Sequence, residues 1–350
     1  MSAIFPKLGW DIGTAYDLFV SLKAIHQPAD FGLRASWAAG VRSRLPNELR
    51  DTLELATTIM RVPLPWIQSL PQPKNAEVVV ARMKQIPAED RLAKHFCSPI
   101  IDARYREVLE NTRPNKKYTQ AELKIIREVY RNDQLAPSNL PELLQKAWSN
   151  RKAFGEAYCA GIEMFVNSFF IEEEARIIPS LQKGLAHAQA RAGSLSVPVM
   201  LEELSLGVRM SEIRHSSHVV LAPSFWGAPF IFYDYLDKDS YIILFGARPD
   251  DMTLVPGDVV PETLIRGLKA LADSTRLRIL RYLADSPQTP TQLARSLRLR
   301  TPTVVHHLLA LRSAGLVQVN ISPQGERHYA TRMEGFISTQ DHLEKFVNGE

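Results

Sequence analysis

Two threonine-proline pairs twelve residues apart, Thr289-Pro290 and Thr301-Pro302, constrain this chain more than any other feature. A threonine hydroxyl accepts from the orphan amides of a helix start, and proline costs nothing in the first turn, where its missing N–H would have no partner. Thr289-Pro290-Thr291-Gln292 adds a glutamine at the third helical position, the pattern of a capping box. The first helix ends near Leu297, and the second runs from Thr301 to Ala314 before Gly315 stops it. Only Arg298-Leu299-Arg300 joins them. Two short helices on so tight a link have the geometry of a helix-turn-helix.

The flanking residues agree with that reading. Leu264, Leu268 and Leu271 recur at helical spacing, and Asp273 caps a helix that carries Leu277, Leu280 and Leu283 inside and Arg276, Arg278 and Arg281 outside. Val304, Leu308 and Leu311 form the buried stripe of the 301–314 helix, leaving Thr301, Thr303, Val305, His306 and Leu309 with some exposure. Leu316–Ile321 and Arg327–Thr331 are strand-like runs joined by Ser322-Pro323-Gln324-Gly325-Glu326, which makes residues 316–332 a wing.

Charge concentrates in the same place. The net charge of the chain is only +4. Residues 261–332, however, hold eleven basic and four acidic side chains, a net of +7, whereas residues 1–260 balance at thirty of each and residues 333–350 carry −3. A compact basic region beside a neutral body suits phosphate.

The segments Leu268–Leu280, reading LKALADSTRLRIL, and Val304–Val317, reading VVHHLLALRSAGLV, resemble the ArsR family of winged-helix transcriptional regulators over about residues 261–333. Ser274 stands where that family usually has proline, and serine is also accepted in a first helical turn. The resemblance implies a homodimer that packs through the helices around Leu264 and 336–347 and binds an inverted-repeat operator on double-stranded DNA, most simply as a repressor. Carried over by position, the recognition surface falls on Arg300, Thr301, Thr303, Val305 and His306, with Arg312 in the same DNA-facing set and wing contacts near Gln324 and Arg327. Val305 occupies a position where many relatives have serine, and Leu309 one where many have lysine.

The metal-sensing chemistry of that family lacks ligands here. Residues 261–350 contain no cysteine, the segment before the third helix reads Pro287-Gln288-Thr289-Pro290-Thr291, and Asp341 and His342 are adjacent rather than one turn apart. No metal and no cofactor is expected.

Residues 1–260 read as a separate domain, helical from Thr14 to about Ala192 with proline breaks. The expected helices are 14–26, 30–44, 46–61, 87–109, 119–132 and an interrupted run over 140–192, with the proline-rich 62–74 as an extended connector. Ser217–Ala222, Pro229–Tyr235 and Ser240–Gly246 suggest a short antiparallel β meander near 217–246. The fold class is therefore mainly α with small β elements, ending in a winged helix-turn-helix over 261–350. Ala222-Pro223-Ser224-Phe225-Trp226 and Phe169–Glu174 are similar to a helical domain of unknown function found ahead of some ArsR winged helices, where a small apolar effector could bind. Some ArsR-family members carry a methyltransferase, but residues 1–260 have no G-x-G, phosphate-loop, H-E-x-x-H or G-x-S-x-G pattern. The expectation is a regulator without enzymatic activity. A fused enzyme and a scaffold that does not bind DNA are the alternatives. The start, Met1–Lys7, has no export signal, no apolar run reaches membrane-spanning length, and two cysteines in 350 residues fit a reducing compartment, so a cytoplasmic protein with no membrane partner is expected.

Overall fold

The computed structural model describes residues 6–131, 136–210, 213, 216–249, 252–255, 260–322 and 325–348. The chain opens with β1 (Lys7–Trp10) and α1 (Thr14–His26), followed by α2 (Pro28–Phe31), α3 (Ala35–Arg42), α4 (Asn47–Ile59), α5 (Leu64–Gln68), α6 (Ala76–Gln85), α7 (Ala88–Phe96) and α8 (Ala103–Glu110). Then come α9 (Gln120–Val129), α10 (Leu140–Trp148), α11 (Arg151–Phe165), a π-helical turn over Val166–Phe170, α12 (Ile171–Ala192) and α13 (Val197–Leu204). Next are β2 (Val208–Met210), β3 (His218–Ser224), β4 (Phe232–Tyr235) and β5 (Ser240–Gly246). The winged helix closes the chain with α14 (Glu262–Leu271), α15 (Ser274–Asp285), α16 (Pro290–Leu297), α17 (Thr301–Ser313), β6 (Val317–Ile321), β7 (Arg327–Thr331) and α18 (Met333–Asn348).

Several expected helices are divided. The one expected over 30–44 is broken by Gly32, whose φ of 73° lies in the left-handed region, and the chain restarts in α3. The one expected over 87–109 stops at Cys97, because Pro99 disfavours the α region for Ser98. Within the proline-rich connector, Pro65 sits in the first turn of α5, where it supports a helix, so that stretch is partly helical rather than extended.

The meander expected over 217–246 is corrected. The sheet has the order β1-β3-β5-β4, with β1 parallel to β3, β3 parallel to β5, and only β4 and β5 antiparallel. The reason is burial on both faces. Val220, Ala222, Ile242 and Leu244 enter the large helical core, whereas Val219, Leu221, Tyr241, Ile243 and Phe245 pack on the opposite side with Met200, Leu201 and Ala188. Strands covered on both faces read as continuous apolar runs, the habit of parallel neighbours, whereas a solvent-backed meander would alternate.

The winged helix has its own core of Ile279, Leu280, Leu283, Leu293, Leu297, Val304, Leu308, Leu311, Leu316 and Val317. Its sheet does not stop at the wing. β2, more than a hundred residues upstream, runs parallel to β6 with Val208 opposite Val319, and Val208 joins the winged-helix core. Left-handed Leu206 and Gly207 make the turn from α13 that delivers it. No helix among the described residues is long and apolar enough to cross a membrane.

Candidate nucleic-acid interface

The helix-turn-helix is assembled by local chemistry. The Asp273 carboxylate accepts from the Arg276 amide at 2.8 Å to start α15. Thr289 and Gln292 form the reciprocal capping box at the head of α16. Arg298, in the left-handed region at φ 57° and ψ 43°, then turns the chain toward α17. That helix ends in a Schellman motif: the Gly315 amide donates to Arg312 O at 3.0 Å and the Leu316 amide to Leu311 O at 3.0 Å, with Gly315 at φ 70°.

The start of α17 differs from the expected threonine cap. Arg300 holds the extended cap conformation and contributes no side-chain cap, while Thr301 is the first helical residue and Pro302 the second. Amides left without a side-chain cap at a helix start are available to an anion such as phosphate.

The expected site residues separate into two sets. Arg300, Thr303 and His306 are exposed and Thr301 is half-buried. At about 100° per residue, His306 lies on the far side of α17 from Val304, Leu308 and Leu311, which are fully buried. Arg327 is half-buried at the start of β7, and Gln324 lies outside the described residues. Val305 and Arg312 are corrections, because each is only 5% exposed. They occupy the flank of α17 between its buried stripe and its outer face, and neighbouring elements cover that flank. The Arg312 guanidinium donates to the carbonyl of Ser205, which removes it from a DNA-facing role in this arrangement. Burial, reinforced by repulsion from Arg332, lowers the Arg312 pKa to about 10.

His306 and His307 have different surroundings although they are adjacent. His307 is half-buried, with Nδ1 3.9 Å from the Asp273 carboxylate that caps α15, and burial lowers its pKa. It lies between α17 and the cap of α15. Among the described residues, no group of three or more His, Cys, Asp or Glu side chains is placed to hold a metal ion.

Other exposed groups fall on this surface without having been assigned to it from sequence. Arg295 and Arg298 are exposed at the end of α16 and in the turn, close in sequence to Arg300, and Pro302 is exposed beside Thr303. The signal was the local excess of arginine, which gave the region its charge but not the role of each residue.

A model of bacterial regulatory proteins of the arsR family matches residues 273–319, narrower than the 261–333 span of the sequence resemblance. Comparison with curated proteins and with solved structures gives no significant match. The matched span runs from the cap of α15 through α16 and α17 into β6, the elements that build this surface. Residues 273–319 are therefore an ArsR-family helix-turn-helix domain, of the kind that DNA-binding regulators carry.

Proposed function

We propose that this protein is a cytoplasmic transcriptional regulator, most simply a repressor, that binds an inverted-repeat operator as a homodimer and carries out no catalytic step. The observation that carries the reading is the exposure of Thr303 and His306 on the outer face of α17 inside an ArsR-family domain, flanked by exposed Arg295, Arg298 and Arg300. Arginines that contact phosphates supply affinity and register, and the outer face of a helix in the major groove supplies base readout.

The homodimer is supported by an uncovered apolar stripe on α18. Met333, Ile337 and Val347 are 63%, 66% and 72% exposed, and Leu343, Phe346 and the neighbouring Leu268 of α14 are exposed as well. α18 packs on α14 through Gly267, where a Cβ would come within 2.7 Å of Thr339. The stripe is thus held as a rigid face, and a second copy would bury it. Two copies related by a two-fold axis place two α17 helices against two half-sites.

The small apolar effector rests on the sequence resemblance; the cleft lined by Phe19, Leu22, Met60, Val62 and Tyr158 holds only about 20 Å³, room for a water, so an effector would have to open it. The reading as a whole is tested by in-vitro selection of duplex DNA on the full-length protein. Recovery of a two-fold symmetric motif is the expected result, and failure to enrich any motif with both the wild type and its Asp30→Asn variant sinks it.

A further inference from the structure

α17 is covered along the flank beside its outer face. α2, a single helical turn from the N-terminal domain, packs against it. The end of α2 also rests on α14: a Cβ at Gly32 would stand 3.1 Å from Arg266 Cδ and 3.2 Å from Glu262 Oε1. From the other side, the Phe31 ring is anchored in its own domain, 5.5 Å from Phe230 and 6.4 Å from Phe232 between centroids. The turn thus bridges the N-terminal core and the helix-turn-helix.

Its chemistry opposes DNA. Asp30 is near enough to His306 for the two to interact: burial raises the Asp30 pKa, while Lys23 and His306 pull it down. The α2 turn thus carries a carboxylate whose field reaches His306 on the outer face of α17. There is also a question of space. A helix with its side chains is about 10–12 Å across and the major groove about 12 Å wide, so a groove that admits α17 has little room for a second helix on the same side.

We propose that α2 is an autoinhibitory strap: docked on α17 it blocks full entry of the recognition helix into the groove, and high-affinity binding requires it to move away. This rests on the DNA-binding reading above and adds the regulation of that surface. The undocked form binds DNA more tightly than the docked form by the same factor by which bound DNA shifts the strap toward undocking.

The test uses the full-length chain and a duplex recovered by selection. Asp30→Asn and Asp30→Ala change a solvent-facing residue and spare the core, and Asp51→Asn on α4, where the side chain is 62% exposed, makes the same charge change elsewhere. Both Asp30 variants are expected to bind about fivefold tighter or more, with Asp51→Asn unchanged. Hydrogen exchange gives an independent readout, because the Gly32 and Leu33 amides donate to Ala29 O and Pro28 O and protect the turn. Adding the duplex should speed exchange at both. Unchanged or slowed exchange there overturns the strap whatever the affinities do, and so does equal tightening in Asp51→Asn. Selection that succeeds with Asp30→Asn and fails with the wild type supports the strap. Selection that fails with both removes the DNA-binding reading itself, and the strap with it.

Discussion

The Arg312 guanidinium, near the end of the recognition helix, donates to the backbone carbonyl of Ser205, 107 residues earlier in the chain. A cation that sequence position assigns to phosphate is instead an internal fastener between the winged helix and the turn that delivers β2. Arg312→Ala is expected to cost roughly 2–3 kcal/mol, the range for removing a charge-assisted buried hydrogen bond. Thermal melts should show the loss, while the slope of log affinity against log salt for random DNA stays unchanged. A slope smaller by about one unit would return Arg312 to the phosphate-contacting set.

The exposed pair Thr303 and His306 makes the opposite prediction. Thr303→Ala with His306→Ala should weaken binding to a selected operator by roughly 1–3 kcal/mol per lost base contact and leave random-sequence affinity nearly intact. Competition titrations read the ratio. Equal loss on both DNAs would mean that the outer face of α17 does not read bases.

The Arg298 turn separates stability from affinity. A side chain in the left-handed region is strained by about 1 kcal/mol, which glycine relieves in part, since glycine also has more freedom to lose on folding. Arg298→Gly is therefore expected to raise the melting temperature slightly while lowering affinity for all DNA sequences alike. A melting temperature that falls would show that the arginine stem packs in a way that outweighs the strain.

Two buried ionisable groups with large, opposite shifts contribute opposing slopes to the acid response of residues 1–260. His95 lies against Trp66 with ring centroids 4.2 Å apart, and burial, then repulsion from Lys94 and Arg91, lowers its pKa to about 3. The unfolded chain takes up this proton near pH 6.5 and the folded chain only near 3, so His95 costs stability as the pH falls through that window. Asp17 works in reverse. Its pKa rises to about 6, because burial outweighs the hydrogen bonds from Ser224 Oγ and the Phe225 and Trp226 amides. Its contribution is fully present below about pH 3.8 and lost as the pH rises through 6. The two slopes nearly cancel between pH 4 and 6 in the wild type. In His95→Phe, stability should therefore rise toward acid across that range by up to about 1.4 kcal/mol per pH unit, measured by denaturant titration at each pH.

The α18 stripe predicts assembly. Ile337→Glu combined with Val347→Glu should convert a dimer to a monomer in sedimentation and weaken operator binding, while the melting of the monomeric fold is retained. Both side chains are largely exposed in the single chain, so the change costs the fold little.

The winged helix was legible in the sequence because its signals are local. Asp273, the Thr289-Gln292 box and Gly315 each act within a few residues, and the structure uses each as a cap or stop. The mixed sheet was less legible. Apolar runs report burial but not which strand becomes the neighbour, and β1, four residues long, gave no pattern of its own. Val305 and Arg312 were misplaced for a related reason. They sit about 100° and 80° around the helix from Val304, on a flank whose exposure depends on what packs there, and the partner of Arg312 comes from Ser205, far away in sequence. The α2 contact lies beyond any periodicity argument, since it joins a four-residue turn to a helix more than 270 residues later.

β2 also bears on how this protein can be divided. Cutting at Pro261, where the charge and linker residues invite it, would strip the parallel partner from β6 and leave a bare strand edge carrying Val317 and Val319. Exposed apolar edges recruit other edges. A fragment of residues 261–350 would then self-associate through its wing, a stickiness that the intact chain masks with three of its own residues.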